Sequence, residues 1–138
     1  MKKIFLDTNF LLDYLVRPEY AEAATQVLRG GSKKGYRFVV SFLTVANFAY
    51  INRKMPAELR NKMIEGIVES FEVAPNTSYH ISGAARLNTT DYEDAIQYLT
   101  AVSSGCEAII TRNTKDFTFS KLPIYTPAEF LEKSLMGL

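Results

Sequence analysis

The sequence is poor in the side chains that bind soft metal ions, since it has one cysteine, Cys106, and one histidine, His80. A single cysteine excludes an intrachain disulfide and a zinc cluster built on cysteines. A single histidine excludes a multi-histidine metal site. We expect Cys106 to be a small core residue beside a strand, and His80 to be a surface or hydrogen-bonded residue of a helix.

The chain also lacks long hydrophobic runs and a large excess of charge of either sign. The first apolar run, Ile4–Leu6, is too short for a signal-peptide core, and no other run approaches the length of a membrane span. We therefore expect a cytoplasmic protein that does not use a membrane. The net charge is +1, so any binding of nucleic acid has to come from a local patch. A Gly-rich phosphate loop is absent, which disfavours nucleotide-driven phosphoryl transfer.

Strands and helices alternate along the predicted elements, and the 138 residues suit a single domain, 1–138. Such alternation predicts right-handed βαβ units and a parallel sheet covered by helices on both faces. The glycines of Gly30-Gly31 and Gly105 are predicted to follow helix ends, and Asn9 and Ser41 are predicted to begin helices. The predicted strands are 4–6, 37–40, 71–74, 108–110 and 122–125. The predicted helices are 9–14, 18–28, 42–52, 56–70, 77–87 and 91–104, with a last helix from Pro127.

Asp7 comes directly after the first predicted strand. A carboxylate at the carboxyl end of a central strand lies where open α/β sheets bind their ligands. An aspartate at that place can equally begin the next helix as its N-cap, and both interpretations stay open. Asp13, about one turn further on, is predicted to be a solvated helix residue.

A second group of carboxylates opens the helix predicted at 91–104. Thr90 and Glu93 have the spacing of a capping box, and acidic residues in a first turn interact well with the helix dipole. These effects account for Glu93 and for Asp91. Asp94 lies beyond the cap and next to the apolar side of the helix, where a carboxylate is costly unless it is paired or binds a metal. We therefore expect a functional role for Asp94.

Polar residues also follow the strand predicted at 108–110, in the segment Thr111-Arg112-Asn113-Thr114-Lys115-Asp116-Phe117. A plain polar turn is one interpretation. The other is that Asp116 faces the same crevice as Asp7, because adjacent parallel strands lie about 5 Å apart. Carboxylates brought together without histidine or cysteine favour a hard ion, Mg²⁺ or Mn²⁺. Such a site suits the hydrolysis of phosphodiester bonds.

These motifs, in this order and spacing, resemble those of PIN-domain nucleases, a family of metal-dependent ribonucleases that includes VapC-like toxins. The resemblance covers nearly the whole chain. It rests on Leu6-Asp7-Thr8-Asn9, on Asp94-Ala95 at the start of a late helix, and on the segment from Thr111 to Phe117. It implies a three-layer α/β/α sandwich with a central parallel sheet of about five strands.

The resemblance also implies roles for individual residues. Asp7, Asp94 and Asp116 would be the catalytic residues and bind Mg²⁺ or Mn²⁺, with Thr8, Thr111 and Asn113 in support. The family usually carries a glutamate in the helix after the second strand, where this chain has Asn47. An amide can offer an oxygen to a metal but not a negative charge. We therefore hypothesise that Asp91 restores the missing charge, and both Asp91 and Asn47 are further candidate ligands.

Two functions are possible, depending on whether the site is active with Asn47 in place of the usual glutamate. The first is a Mg²⁺-dependent endoribonuclease, the toxin of a type II toxin–antitoxin pair, with RNA as substrate and an antitoxin as protein partner. Arg112 and Lys115 lie beside the predicted site and are candidates to contact RNA phosphates. The second is a PIN-fold module of weak or no activity that binds RNA or a protein partner. The resemblance further implies a homodimer, for which the apolar helices at 42–52 and 56–69 offer a surface.

Overall fold

The protein is built around a five-stranded parallel sheet. The structure, a computed structural model, describes the backbone of residues 2–135 and the side chains of residues 2–133. The strands are β1 (Lys2–Leu6), β2 (Tyr36–Ser41), β3 (Glu72–Ala74), β4 (Ala108–Ile110) and β5 (Ile124–Tyr125). Their order across the sheet is β3-β2-β1-β4-β5, and every neighbouring pair is parallel.

Side chains of the three central strands alternate between two hydrophobic cores. Ile4 and Leu6 of β1 point to one core and Phe5 to the other, as the two-residue period of a strand requires. Both sides are apolar because a parallel sheet is covered on both faces. The predicted three-layer α/β/α fold is therefore confirmed.

Seven α-helices form the two outer layers within the described residues. They are α1 (Thr8–Leu15), α2 (Pro18–Lys33), α3 (Phe42–Ile51), α4 (Ala57–Ser70), α5 (Ser78–Leu87), α6 (Tyr92–Ser103) and α7 (Pro127–Phe130), with a 3₁₀ turn at Thr114–Phe117 and a π-helical turn at Leu131–Leu135. Buried residues of α1 to α4 and of α7 pack on one face of the sheet. Buried residues of α6 pack on the other face, next to α5.

Several helices begin directly at the carboxyl ends of strands, and their caps show why. Ser41, the last residue of β2, accepts a hydrogen bond from the Thr44 amide, as predicted for an N-cap. The N-cap of α1 is Asp7, whose side chain accepts from the Phe10 amide; the prediction of Asn9 as the cap was therefore wrong, and the alternative, Asp7, is correct. A strand that passes into a helix through one capping residue fixes that residue at the edge of the sheet.

The predicted end of α2 at Gly30-Gly31 was also wrong, because the helix continues to Lys33. The residue that ends it is Gly35, with φ of +86°, a conformation that side chains with a Cβ rarely adopt. Gly31 has a packing role instead, since a Cβ at this position would lie 2.4 Å from Cζ of the buried Phe38. Gly105, with φ of +78°, follows α6 as expected.

Two further features bear on the site and on the surroundings of the protein. β1 and β4 are neighbours, so Asp7 and the segment that begins at Thr111 lie at the same edge of the sheet. No helix in the described part of the chain combines the length and the hydropathy that crossing a membrane needs.

The packing of Gly31 on Phe38 yields a test of the fold. We expect Gly31→Ala to lower the free energy of unfolding by about 1–2 kcal/mol, because Phe38 has to leave its place in a filled core. The matched control is Gly66→Ala in α4, where an added Cβ meets open space and should stabilise the helix by up to about 1 kcal/mol. Urea unfolding of the two variants measures both values, and equal stability of the two would contradict this packing.

Candidate metal centre

Asp7 is a buried carboxylate whose two oxygens are held from two sides. Oδ1 accepts from the Phe10 amide at 2.9 Å, and Oδ2 accepts from the Thr111 hydroxyl at 2.7 Å. The first bond caps α1 and the second joins the end of β1 to the end of β4. Asp7 can therefore cap α1 and still bind a ligand, because each oxygen keeps a lone pair after one hydrogen bond.

Asp91, Asp94 and Asp116 form a group of carboxylates beside Asp7. One oxygen of each lies within 4.8 Å of an oxygen of the other two. Asp91 and Asp94 come from the start of α6, and Asp116 comes from the 3₁₀ turn after β4. The helix start and the turn therefore converge, and the charge of Asp7 acts on Asp94 from the end of β1.

Burial and neighbouring charges both raise the pKa of carboxylates at this site. Burial, followed by the charges of Asp116 and Asp7, raises the pKa of Asp94 to about 7. Burial also raises the pKa of Asp7 to about 6, against the opposing effect of its bonds to Thr111 and Phe10. Negative charges that crowd in this way favour a proton or a cation between them.

The donor set fits a hard divalent cation. Within the described residues, the group offers carboxylate oxygens. Cys106 is buried in the hydrophobic core, and the ring of His80 bonds to Thr77 and Ser103. Oxygen ligands at this spacing are the kind that bind Mg²⁺ and Mn²⁺. Asp91, Asp94 and Asp116 would hold such an ion, with Asp7 beside them.

The segment after β4 is held in place by its own hydrogen bonds. The Thr111 hydroxyl accepts from the Asn113 amide at 3.1 Å while it donates to Asp7. The Asn113 carbonyl accepts from the Asp116 amide at 3.0 Å. Thr111 and Asn113 thus connect Asp7 to Asp116 through the backbone.

Comparison with known proteins identifies the family. A family model described as the PIN domain matches residues 3–115. The chain belongs to the PIN domain family. It is 25% identical over 141 residues to Ribonuclease VapC1 of Aquifex aeolicus. The aligned region covers 96% of this chain and 95% of that protein.

Solved structures show the same fold. A chain of VapBC2 from Rickettsia felis, crystallised with a DNA fragment from its promoter, superposes with a TM-score of 0.72 at 14% identity, over 90% of this chain and 98% of that one. A chain of a toxin–antitoxin complex from Klebsiella pneumoniae superposes with a TM-score of 0.66 at 26% identity, over 90% and 97% of the two chains. The predicted resemblance to VapC-like PIN proteins is therefore confirmed.

In this PIN domain, the surroundings of Asp13 differ from those that the sequence predicted. Asp13 was predicted to be solvated, yet it is 3% exposed. Arg112 donates to its two oxygens through Nε at 2.6 Å and Nη2 at 3.2 Å, and Arg17 donates at 3.2 Å. The Arg112 guanidinium also lies 3.9 Å from the ring centroid of Tyr20. These contacts offset the cost of burying Asp13 and hold the segment after β4 against α1 and α2.

The capping box predicted for Thr90 and Glu93 was wrong. The N-cap position of α6 is Asp91, and its side chain makes no capping bond. The turn that precedes the helix shifts the start by one residue, because the Asp91 amide donates to the Thr89 hydroxyl. The carboxyl of Asp91 is therefore free of the helix backbone and available to the group with Asp94 and Asp116.

Asn47, which was predicted to occupy the usual glutamate position of PIN-domain nucleases, has a buried amide nitrogen. Within the described residues, Nδ2 of Asn47 has no hydrogen-bond partner. A buried donor without an acceptor costs about 1–3 kcal/mol. The sequence therefore keeps a polar group at this position although the described contacts do not satisfy it.

Gln97 is a residue of the site region that the sequence analysis missed. Its side chain is 1% exposed and bonds to Ser41, Thr44 and Thr8. One signal was present, since Gln97 lies three residues after Asp94 and interrupts the apolar side of the helix. A polar residue within a buried stripe needs hydrogen-bond partners, and those partners lie next to the site.

The raised pKa of Asp94 predicts how stability depends on pH in metal-free protein. The folded protein binds a proton at Asp94 more tightly than the unfolded chain, whose pKa is near 3.8, so this carboxyl lowers the free energy of unfolding as pH rises from about 4 to about 7. We expect Asp94→Asn to be more stable than the wild type at pH 8 by about 1–2 kcal/mol, allowing for partial exposure, and equally stable near pH 4.

Urea unfolding in EDTA at the two pH values measures this difference. The control is Glu65→Gln, which removes an exposed carboxylate of α4. A variant Asp94→Asn that is less stable than the wild type at pH 8, or equally shifted at both pH values, would contradict the raised pKa of Asp94.

Proposed function

We propose that the protein is a metal-dependent endoribonuclease, and the observation that carries the proposal is the convergence of Asp91, Asp94 and Asp116 beside Asp7. Its membership of the PIN domain family and its similarity to a protein named Ribonuclease VapC1 support the reaction class. A Mg²⁺ or Mn²⁺ ion, when bound, would lower the pKa of an attacking water and offset charge on the phosphate.

The residues of the chain have distinct parts in this proposal. Asp94 and Asp116 hold the ion together with Asp91, and Asp7 adds negative charge from the end of β1. Thr111 and the Phe10 amide fix the orientation of Asp7. These bonds are made in the folded protein before a substrate arrives, which is the condition for a preorganised site.

Lys115 and Arg112 are proposed to contact phosphates of the RNA. Lys115 is exposed on the 3₁₀ turn that carries Asp116, so its ammonium group can move toward a phosphate next to the site. Arg112 gives Nε and Nη2 to Asp13, while its Nη1 makes no bond within the described residues. A phosphate contact by Arg112 therefore uses Nη1, and the ion pair with Asp13 keeps the guanidinium in position.

The toxin role, the antitoxin partner and the homodimer are proposed from the relatives. The similar structures include chains of toxin–antitoxin complexes. The helices named for a dimer surface do expose apolar side chains, since Phe42, Tyr50 and Ile51 of α3 and Leu59 and Val68 of α4 are each about half or more exposed. Exposed apolar residues on two neighbouring helices suit a partner surface.

The nuclease proposal predicts a loss of activity that is separate from a loss of folding. We expect the wild type to cleave RNA with Mg²⁺ or Mn²⁺ and to stop in EDTA, and Asp94→Asn to lower kcat by at least about a hundredfold. Gel analysis of RNA fragments measures the rate, and circular dichroism confirms that the variant is folded. Glu65→Gln is the control with unchanged activity, and persistent cleavage by Asp94→Asn would overturn the assignment.

The alternative function, a PIN-fold module of weak or no activity, is favoured by Asn47. We propose instead that Asp91 replaces the charge that Asn47 lacks, and a double-mutant cycle tests this compensation. Asp91→Asn should weaken Mn²⁺ binding about tenfold, and Asn47→Glu should strengthen it by a similar factor, as expected for one charge at a partly solvated site. In the Asn47→Glu background, Asp91→Asn should cost less than in the wild type.

Calorimetric titration with Mn²⁺ measures these affinities, and the control is Glu65→Gln, which removes an exposed carboxylate of α4 and should change nothing by more than about twofold. A wild type that binds RNA but neither binds Mn²⁺ at millimolar concentration nor cleaves RNA would establish the alternative. Affinity that is equal in the wild type and in Asp91→Asn would remove Asp91 from the site.

A further inference from the structure

We propose that Gln97 is a positioning residue, which locks the ends of α1 and α3 to α6 and so sets the distance between Asp7 and Asp94. The consequence for catalysis rests on the proposed function, whereas the positioning itself does not. Gln97 is one turn after Asp94 on α6, and its partner Thr8 is next to Asp7.

The amide oxygen of Gln97 is held by two hydroxyls at the start of α3. Oε1 accepts from the Ser41 hydroxyl at 2.8 Å and from the Thr44 hydroxyl at 3.0 Å. The same hydroxyl oxygens accept from backbone amides of the capping box, Thr44 N to Ser41 Oγ at 2.9 Å and Ser41 N to Thr44 Oγ1 at 3.3 Å. The two hydroxyl oxygens also lie 2.9 Å from each other. Each hydroxyl has one hydrogen and the two cannot both donate to each other, so at least one of them donates to Oε1, and both oxygens can still accept the backbone amides.

The hydroxyls also decide which way the amide of Gln97 faces. Because Ser41 and Thr44 need an acceptor, Oε1 faces α3 and Nε2 faces α1. Nε2 donates to the Thr8 hydroxyl at 3.3 Å. A carbonyl on one side and an amino group on the other match the two helix ends in only one orientation, so the side chain fixes both at once.

The three bonds place a hydrogen-bonded layer directly next to the candidate site. Thr8 follows Asp7, Gln97 follows Asp94 by three residues, and Thr44 precedes Asn47 by three residues. Residues three apart on a helix lie on the same side. All four side chains of this layer, Thr8, Ser41, Thr44 and Gln97, are buried.

An apolar residue would fill the position of Gln97 without the cost of burying an amide. Apolar contacts have no direction, and they would let α6 shift against α1 and α3 by a few tenths of an ångström. Hydrogen bonds with defined donors and acceptors permit one register only. The carboxylates need that precision, because a shared ion requires its ligands at fixed distances.

Gln97→Met tests the proposal, because methionine has nearly the same length but no hydrogen-bonding amide. We expect amide hydrogen exchange of Phe10 and Thr44, at the starts of α1 and α3, to become about fivefold faster or more as the helix ends loosen. Mn²⁺ affinity should fall about fivefold and kcat should fall at least as much, while KM for RNA stays within about twofold, since Gln97 does not touch RNA.

The matched control is Thr100→Val, one turn further along α6. Thr100 is also buried and also loses its hydrogen bonds, to the Ile96 carbonyl and the Asn76 amide. Asn76 also accepts from the Leu43 amide at the start of α3, so the two variants are compared by exchange at Phe10 and not at Thr44. Both variants should be destabilised, and only Gln97→Met should accelerate exchange at Phe10 and weaken Mn²⁺ binding. Equal effects of the two variants on exchange at Phe10 would overturn the proposal.

A milder variant keeps the test decisive if Gln97→Met does not fold. Thr8→Val removes only the hydroxyl that Nε2 of Gln97 meets, so exchange should quicken at Phe10 and stay unchanged at Thr44. Unchanged exchange at Phe10 would again overturn the proposal. A wild type that neither binds Mn²⁺ nor cleaves RNA would refute the proposed function, and the exchange rates would still decide the positioning role of Gln97.

Discussion

The repulsion among carboxylates at the carboxyl edge of the sheet is the constraint around which this part of the molecule is arranged. Asp91, Asp94 and Asp116 lie within a few ångströms of one another, and Asp7 is buried beside them. In a metal-free protein the ionised site costs free energy, because burial first and the neighbouring negative charges second raise the pKa of Asp94 and of Asp7. A site that is unfavourable without a cation and built from oxygen ligands is suited to bind one.

The fold supplies the forces that oppose this repulsion. The neighbouring strands β1 and β4 bring Asp7 to Thr111, and the backbone of the following turn brings Asp116 to the same edge. Arg112 ties that turn to the buried Asp13 on α1. On the other side, Gln97 joins α6 to α1 and α3. Hydrogen bonds thus hold the carboxylate of Asp7 directly, and they hold the turn and the helix that carry Asp116 and Asp94.

The sequence predicted the fold and the position of the site better than the details of the site. The parallel sheet followed from apolar runs that alternate with helical segments, because both faces of such a sheet must be covered. The places of Asp7 and of the segment from Thr111 followed from the same rule. Asp13 was misjudged because its partner Arg112 is 99 residues away in sequence, and local spacing contains no information about such a pair.

The same limit explains Asp91 and Gln97. The capping box expected at Thr90 competes with a turn in which Thr89 holds the Asp91 amide, and sequence spacing does not say which arrangement wins. The partners of Gln97 lie on two other helices, so its role became visible only with the tertiary structure. Asp91, a further candidate from the sequence, has an oxygen within 4.8 Å of oxygens of Asp94 and Asp116, and the charge of Asp7 also acts on Asp94.

The most direct test of this account is a crystal structure of the protein soaked in Mn²⁺, with the ion located by its anomalous scattering. The account predicts one strong peak, with oxygens of Asp91, Asp94 and Asp116 about 2.1–2.3 Å away. Absence of a peak at millimolar Mn²⁺, or a peak bound without Asp91 and Asp94, would contradict it.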